Sequence, residues 1–594
     1  MTNSVNNPAP RDIPVPSTGS DAMWGSDAIA LMLRRMELPY VLINPGASFR
    51  GLHDSIVNYL GNETPQMMLV LHEEHAIAIA HGYTKVSGHM LGAIVHSNVG
   101  LMHASMAIFN AWADRVPVLI MGATGPVDAA QRRPWIDWLH TAQDQGALVR
   151  NFTKWDAQPA SVPAAAEALL RAAQISRTAP YGPTYVCFDV ALQESKLDAT
   201  PVLPDPMRYL PASPAQPSSE DVVKAAAWLS EAKQPVILMG RVSRSESAWK
   251  ERIQLAESLG AKVLTDLKVG AAFPTNHPLH EVAPGFFLSP ASANVLKAAD
   301  VVLSLDWVDL AGTLKQAWGS EPVQSRVIQV SVDQYIHNGW SMDHQGLAPV
   351  DLYMMAQPEP TVKSLLAQLG NRTADFTAQE RPPAAMGDAA TIDIARIARS
   401  LRQATRCDDV CLIRLPLGWS GDLWDFHHPL DYLGYDGGGG IGSGPGMAVG
   451  AALALRHTGR LPVAIVGDGD YMMGATALWT AAKEQIPLLT IVSNNQSFFN
   501  DEIHQERVAK DRGRPVENRW IGQRIADPAP DLAMIARAQG LIGIGPVEIP
   551  EELDAALANA IELVRQGKSV VIDIRVAPGY SPSMASGMTR SHGD

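Results

Sequence analysis

The stretch from Leu461 to Asn500, LPVAIVGDGDYMMGATALWTAAKEQIPLLTIVSNNQSFFN, constrains the chain most. An apolar run from Pro462 to Val466 stops at Gly467-Asp468-Gly469, as a buried parallel strand would. Gly474 to Lys483 has a helical pattern, with Leu478, Ala481 and Ala482 on one face. A second apolar run, Pro487 to Val492, ends at Asn494-Asn495. A right-handed strand–helix–strand unit brings both strand ends to one sheet edge. Open α/β sheets bind ligands at that edge. There Asp468 offers a hard anionic oxygen. Asn495, 27 residues later, offers a neutral carbonyl oxygen, and Ser497 a backbone carbonyl. Gly467 and Gly469 let the backbone approach an anion closely. Two or three protein oxygens leave the rest of an octahedral Mg2+ shell to phosphate and water.

At 594 residues the chain is too long for one core, and three domains are expected. Its net charge of −14 argues against wide nucleic-acid or anionic-membrane surfaces. Cys187, Cys407 and Cys411 suit neither a disulfide framework nor a zinc site. No apolar run is long enough to span a bilayer. The first residues lack the basic region and apolar core of a secretory signal, so a cytoplasmic location is expected.

Residues 1–21 read as an extended N-terminal arm. Residues 22–197 alternate strands and helices: Tyr40–Ile43, Met68–Leu71, Leu91–Val95, Val116–Met121 and Thr184–Val190 read as strands. The Pro-rich residues 198–217 read as a linker. Residues 218–370 repeat the rhythm, with strands at Pro235–Met239, Ala261–Thr265, Val301–Leu305 and Val327–Val332. Residues 371–388 form a second linker, and 389–594 a third α/β domain. The expected fold is α/β, three doubly wound parallel-sheet domains. Gly437-x-Gly439-x-x-Gly442 matches a dinucleotide fingerprint, but no clear strand leads into it.

Gly467-Asp468-Gly469, 24 residues, then Asn494-Asn495 resembles the magnesium-diphosphate motif of thiamine-diphosphate (ThDP) enzymes. The resemblance covers most of residues 22–580. It points to the branch with acetolactate synthase, benzoylformate decarboxylase, benzaldehyde lyase and pyruvate decarboxylase. It implies a pyrimidine-binding first domain, a central domain and a diphosphate-binding third domain. It implies that Asp468, Asn495 and the Ser497 carbonyl hold Mg2+, with Gly467, Gly469 and the Asp470 backbone near the diphosphate. His72-Glu73-x-x-Ala76 with Gly82-Tyr83 resembles the family's glutamate motif. Glu73, rather than Glu74, would then hydrogen-bond the aminopyrimidine N1′. Ile441 would be the wedge that bends the cofactor, and the Gly439 carbonyl would accept from its 4′-amino group.

One position departs from the family: Asp470 stands where a serine commonly donates to the diphosphate. A carboxylate there repels phosphate unless it points away or joins the metal's water shell. The central domain lacks a glycine cradle at Gly240-Arg241-Val242, so FAD, which some members bind there, is not expected.

His96-Ser97 resembles the His-Ser pair of benzoylformate decarboxylase, where the histidine shuttles protons, and imidazole suits that role near neutral pH. His103 stands where synthases often have asparagine. Arg50, His53, His72 and His75 read as structural before catalytic. Ala47 replaces a decarboxylase serine, as in benzaldehyde lyase. Trp419, Trp424 and Phe498 suit either a pocket wall or core packing. The resemblance implies C–C bond making or breaking beside a carbonyl, on a 2-oxo acid or acyloin. Decarboxylation, acetolactate-synthase-like carboligation, lyase chemistry and a catalytically silent binding protein stay open. It also implies a homodimer or homotetramer with active sites between subunits.

Overall fold

The computed structural model describes residues 12–16, 23–199, 201–333, 347–370, 390–405 and 409–580. Cys407, the linker at 371–388 and most of the N-terminal arm lie outside these residues. Asp12, within the arm, pairs with Lys483 of its own chain at 2.9 Å.

Three short-stranded parallel sheets carry the chain, each flanked by helices. The first holds β1 (Tyr40–Ile43), β2 (Gln66–Leu69), β3 (Gly92–Val95), β4 (Leu119–Thr124), β5 (Asp156–Ala157) and β6 (Thr184–Asp189). Their order is β2-β1-β3-β4-β6-β5. The second holds β7 (Pro235–Met239), β8 (Lys262–Leu264), β9 (Val301–Leu305), β10 (Arg326–Val330) and β11 (Leu352–Met354), ordered β11-β10-β9-β7-β8. The third holds β12 (Val410–Arg414), β13 (Leu461–Gly467), β14 (Leu488–Asn494), β15 (Ile542–Val547) and β16 (Ser569–Arg575), ordered β12-β13-β14-β16-β15. Every named pairing is parallel, and Val463 to Gly467 runs in register with Leu489 to Ser493. The central strands are buried on both faces, which explains their unbroken apolar runs.

The acidic turn of the sequence differs from expectation. The helix begins at once: α4 (Asp468–Gly474) follows β13 directly, and α5 (Ala477–Lys483) follows it. Two glycines hide this helix from propensity. Packing requires Gly474, because a Cβ there would stand 2.1 Å from the Gly442 carbonyl oxygen. Asp468 and Asp470 occupy the first turn, where the helix dipole favours acids. Trp419 and Trp424 are core residues, buried in one cluster with Phe426 and Tyr432. Buried Cys187 and Cys411 have thiols pushed by burial up to about 12, which makes them inert.

The first and third domains share a core. It is built on α1 (Glu73–Ser87), α2 (Ser97–Ala113) and α3 (Gly444–Leu455). Helix α3 is apolar all round, as a fully enclosed helix must be. Its small residues let α1 approach closely. A Cβ at Gly450 would stand 1.9 Å from the Ile79 carbonyl oxygen. Gly450→Ala is therefore expected to destabilise the protein by about 1–3 kcal/mol, measured by denaturant unfolding. An unchanged midpoint would mean that the helices are not in this contact.

His75 crosses the same junction, with Nε2 2.8 Å from Thr476 Oγ1. Burial lowers its pKa to about 4. The unfolded chain takes up this proton near pH 6.5, before the folded one does, so stability is lost as pH falls from about 6.5 to about 4. The stability advantage of wild type over His75→Gln is expected to shrink by about 3 kcal/mol across that window. A gap independent of pH would show that His75 is not held neutral.

Candidate active site

The ends of β13 and β14 meet as expected. Asp468 is 3% exposed. Its Oδ1 accepts from Gly469 N, and its Oδ2 from Ser497 N, each at 3.0 Å. The same Ser497 N–H also donates to Asn495 Oδ1 at 3.0 Å. One backbone nitrogen thus gathers both side-chain oxygens within reach of a single ion. Gln496 makes this turn possible by adopting φ +58°. Asn494 turns the other way, and its Nδ2 donates to Asp573 Oδ1 at 2.8 Å inside the sheet. The Ser497 hydroxyl donates to Glu502, which leaves its main-chain carbonyl for other use.

Among the described residues no lysine or arginine pairs with Asp468. Burial pushes its carboxyl up to about 6 against the pull of the backbone N–H donors. A divalent cation would relieve this desolvated charge. A carboxylate, an amide oxygen and a backbone carbonyl form a hard-oxygen set, which suits Mg2+. A Cβ added at Gly467 or Gly439 would meet nothing within 4 Å, so both face open space. The Phe498 ring lies over Gly469, 2.6 Å from where its Cβ would be, and so belongs to this site.

The glycine segment is held by carboxylates. Asp436 Oδ1 accepts from Gly439 N at 2.7 Å, and Asp470 Oδ1 accepts from Gly442 N at 2.6 Å and Gly444 N at 3.2 Å. These amides are occupied and cannot cradle a dinucleotide pyrophosphate. No strand leads into the segment through Leu433–Asp436, which removes the dinucleotide-fingerprint reading. Asp470 thus points away from the metal-side oxygens and toward the loop.

At the other end, Glu73 opens α1 and is buried, whereas Glu74 is half-buried. Glu73 Oε2 lies 3.2 Å from His103 Nδ1. His72 caps α1 by accepting from Glu74 N at 3.2 Å, and its ring stacks on His103 with centroids 4.9 Å apart. Donor atoms of His72, Glu73 and His103 all lie within 4.8 Å of one another. Gly100 makes room, since a Cβ there would stand 2.9 Å from Glu73 Oε1. Among the described residues no hydrogen bond joins Glu73 to Gly439, Ile441 or Asp468 within one chain. They meet helix α2 at different turns: Gly100 and His103 meet Glu73, while the glycine segment lies on Met106, Phe109 and Asn110.

His96 sits at the end of β3. Its Nδ1 is 2.8 Å from Ser48 Oγ, and its ring meets His140 edge-on at 4.7 Å. Burial, then His140, lowers its pKa, so the ring is neutral at physiological pH. Gly46 is required here, because a Cβ would fall 2.1 Å from His96 Cγ. Ser97 adopts φ +52°, a region few non-glycine residues occupy, and its hydroxyl donates to the His140 carbonyl at 2.7 Å. Arg50 pairs with Glu194 at 2.9 Å, and His75 with Thr476.

Three domain families match in chain order. They are described as the thiamine pyrophosphate enzyme N-terminal TPP binding domain (residues 23–148), central domain (222–339) and C-terminal TPP binding domain (416–574). The chain belongs to the thiamine-diphosphate enzymes. It is 25% identical to the "Probable 2-ketoarginine decarboxylase" of Pseudomonas aeruginosa, over 91% of this chain and 92% of that protein. It is also 25% identical to the acetolactate synthase large subunit of Corynebacterium glutamicum, over 97% and 90%. The fold superposes on the ThDP-dependent 4-hydroxybenzoylformate decarboxylase of Rhodococcus jostii with TM-score 0.76, at 21% identity, covering 94% of this chain and all of that one.

In this thiamine-diphosphate enzyme four residues that sequence spacing does not reveal pack around the candidate positions. Arg414 and Asp436 support the glycine segment, and Ser48 and His140 bracket His96. Arg414, Ser48 and His140 are distant in sequence from what they support, whereas Asp436 lies three residues before Gly439. Ser48 had one signal: it adjoins Ala47 in the turn after β1. The other three carry no local motif.

Proposed function

We propose that the chain binds ThDP with Mg2+ and makes or cleaves a C–C bond adjacent to a carbonyl, as a 2-oxo acid decarboxylase or acetolactate-synthase-like carboligase. The single observation that carries this reading is the Ser497 N–H shared by Asp468 Oδ2 and Asn495 Oδ1. When bound, ThDP supplies a nucleophilic carbon and an electron sink at the substrate carbonyl. Asp468, Asn495 and the Ser497 carbonyl would hold the cation, and backbone at Gly467 and Gly469 would lie beside the phosphates. Glu73 would share a proton with the pyrimidine N1′, with His103 fixing the carboxylate rotamer. Ile441 would be the wedge that bends the cofactor, and the Gly439 carbonyl would accept a hydrogen bond from its 4′-amino group. His96, neutral and held through Nδ1 by Ser48, keeps Nε2 free to move a proton at the substrate oxygen.

Two chains would complete each site. Val99, Met102, His103 and Met106 form one face of α2 at helical spacing, and Met102 is 56% exposed. Exposed Met473 lies beside Gly442, so apolar surface flanks the loop too. A homodimer through this face, alone or paired into a tetramer, would bring one chain's Glu73 to the other's Ile441. Among the described residues no helix is long and apolar enough to cross a membrane. A cytoplasmic location is part of this reading.

The test is turnover of the holoprotein with pyruvate, benzoylformate and a panel of acyloins, measuring aldehyde against acyloin. Aldehyde alone would favour decarboxylation, and acyloin from 2-oxo acid would favour carboligation. No turnover of any 2-oxo acid or acyloin would contradict the enzymatic reading and favour a silent binding protein.

A further inference from the structure

Asp470 departs from the family pattern, and its surroundings give it a different role. Arg414 is 2% exposed on its side chain, Asp436 is 0% and Asp470 is 8%. Arg414 Nη1 donates to Asp436 Oδ2 at 2.7 Å, and Arg414 Nε lies 3.4 Å from Asp470 Oδ2. The guanidinium carbon also sits 3.7 Å from the centre of the Tyr435 ring. One buried cation therefore balances two carboxylates. The two carboxylates also close on the glycine segment from both sides. Asp436 takes Gly439 N and the Ser443 hydroxyl, and Asp470 takes Gly442 N and Gly444 N.

Ile441 lies between the two clamps. Gly437, Gly439 and Gly442 have φ of +85°, +75° and +101°, conformations that an unrestrained glycine segment would leave freely. Charge-assisted bonds to backbone N–H groups are the stronger class. A buried ion network adds little to net stability but can specify one geometry. A Cβ on Gly444 would stand 2.4 Å from Asp470 Oδ2, so the fit is close.

We infer that Asp470, acting with Arg414 and Asp436, is a positioning residue that sets the Gly439–Gly444 backbone to receive the pyrimidine half of the cofactor, and that it does not serve the diphosphate. This rests on the ThDP reading above. A serine at this position would face the diphosphate directly; the aspartate would instead pre-organise the loop holding the wedge. The expected signature is a selective loss: binding that uses the loop should weaken, while binding of the metal and phosphates alone should not.

The experiment compares full-length apoprotein with Asp470→Ser and Asp470→Asn. Binding of ThDP at fixed Mg2+ is read by quenching of tryptophan fluorescence, and binding of Mg2+-pyrophosphate by calorimetry. Asp470→Ser is expected to weaken ThDP by about tenfold or more, the scale of a lost charged hydrogen bond, while pyrophosphate changes by less than about threefold. Asp470→Asn keeps the shape and one acceptor oxygen, and should show the same selectivity at about threefold; it carries the comparison if the serine variant does not fold. Equal weakening of both ligands, tighter binding of both, or no change in either would overturn the inference. Failure of the wild-type protein to bind ThDP would instead overturn the cofactor reading itself.

Discussion

Glu73→Gln is expected to lower kcat by about 10²–10⁴, the usual contribution of a positioned acid–base group. Glutamine keeps the size of the side chain, so the space left by Gly100 stays filled. Its amide oxygen can still accept from His103 across the 3.2 Å contact. The substitution removes only the ability to exchange a proton with the pyrimidine. ThDP affinity should therefore fall much less than turnover. Steady-state kinetics at saturating ThDP and Mg2+ checks this, with cofactor affinity measured on the same protein. A loss in kcat below about tenfold would contradict the assigned role. Glu74→Gln is the internal control, since Glu74 is half-buried and feels the charge of a different carboxylate, Asp470.

Asp468→Ala should have an effect of similar size on binding rather than on turnover. Partners one shell removed from a metal typically contribute 10–100-fold in affinity, and a direct ligand should contribute at least about 100-fold. ThDP affinity at fixed Mg2+ is expected to fall by that factor. The apoprotein should behave differently. In the folded chain Asp468 is a buried carboxylate with backbone donors but no cationic side-chain partner among the described residues. Its removal should leave the cofactor-free protein as stable as wild type or more so. Wild type should gain stability on adding Mg2+ and ThDP, and the variant should not, because a ligand stabilises only the state that binds it. Unfolding curves with and without both ligands measure this. Unaltered ThDP affinity in Asp468→Ala would remove the metal assignment.

The features legible in the sequence are those fixed by local rules. Pro235–Met239 and Val301–Leu305 are readable to the residue, because a strand buried on both faces is a continuous apolar run. Asp468 and Asn495 are readable because a βαβ unit fixes where two strand ends meet. The start of α4 is not. Gly469 and Gly474 have poor helix propensity, and only the Gly442 carbonyl beside Gly474 shows why a glycine stands there. The same limit hides Arg414. It lies at the end of a strand, 56 residues before Asp470, and reads as an ordinary basic residue. Its pairing with Asp436 and Asp470 exists only once three separate segments have packed. The orientation of Asp470 follows from that packing. Sequence alone could state only that a carboxylate beside phosphate must point elsewhere.

Burial of Arg414 alone would lower its pKa, but Asp436, Tyr435 and Asp470 together outweigh that cost and keep it charged. The glycine loop is thus anchored by a permanent cation. Cofactor geometry at the wedge should then vary little with pH, unlike the junction at His75, where burial dominates and protonation opposes folding. Both places meet the first turn of α3, with Gly444 against Asp470 and Gly446 against the backbone of His75. The close contact of α3 with α1 joins the first and third domains there.

The most direct test of the central claim is native mass spectrometry of the full-length protein mixed with Mg2+ and ThDP. The expected result is one ThDP and one Mg2+ per chain, on an assembly of at least two chains, with both additions lost together in Asp468→Ala. A wild-type protein that takes up no ThDP, or that takes it up equally in Asp468→Ala, would contradict it.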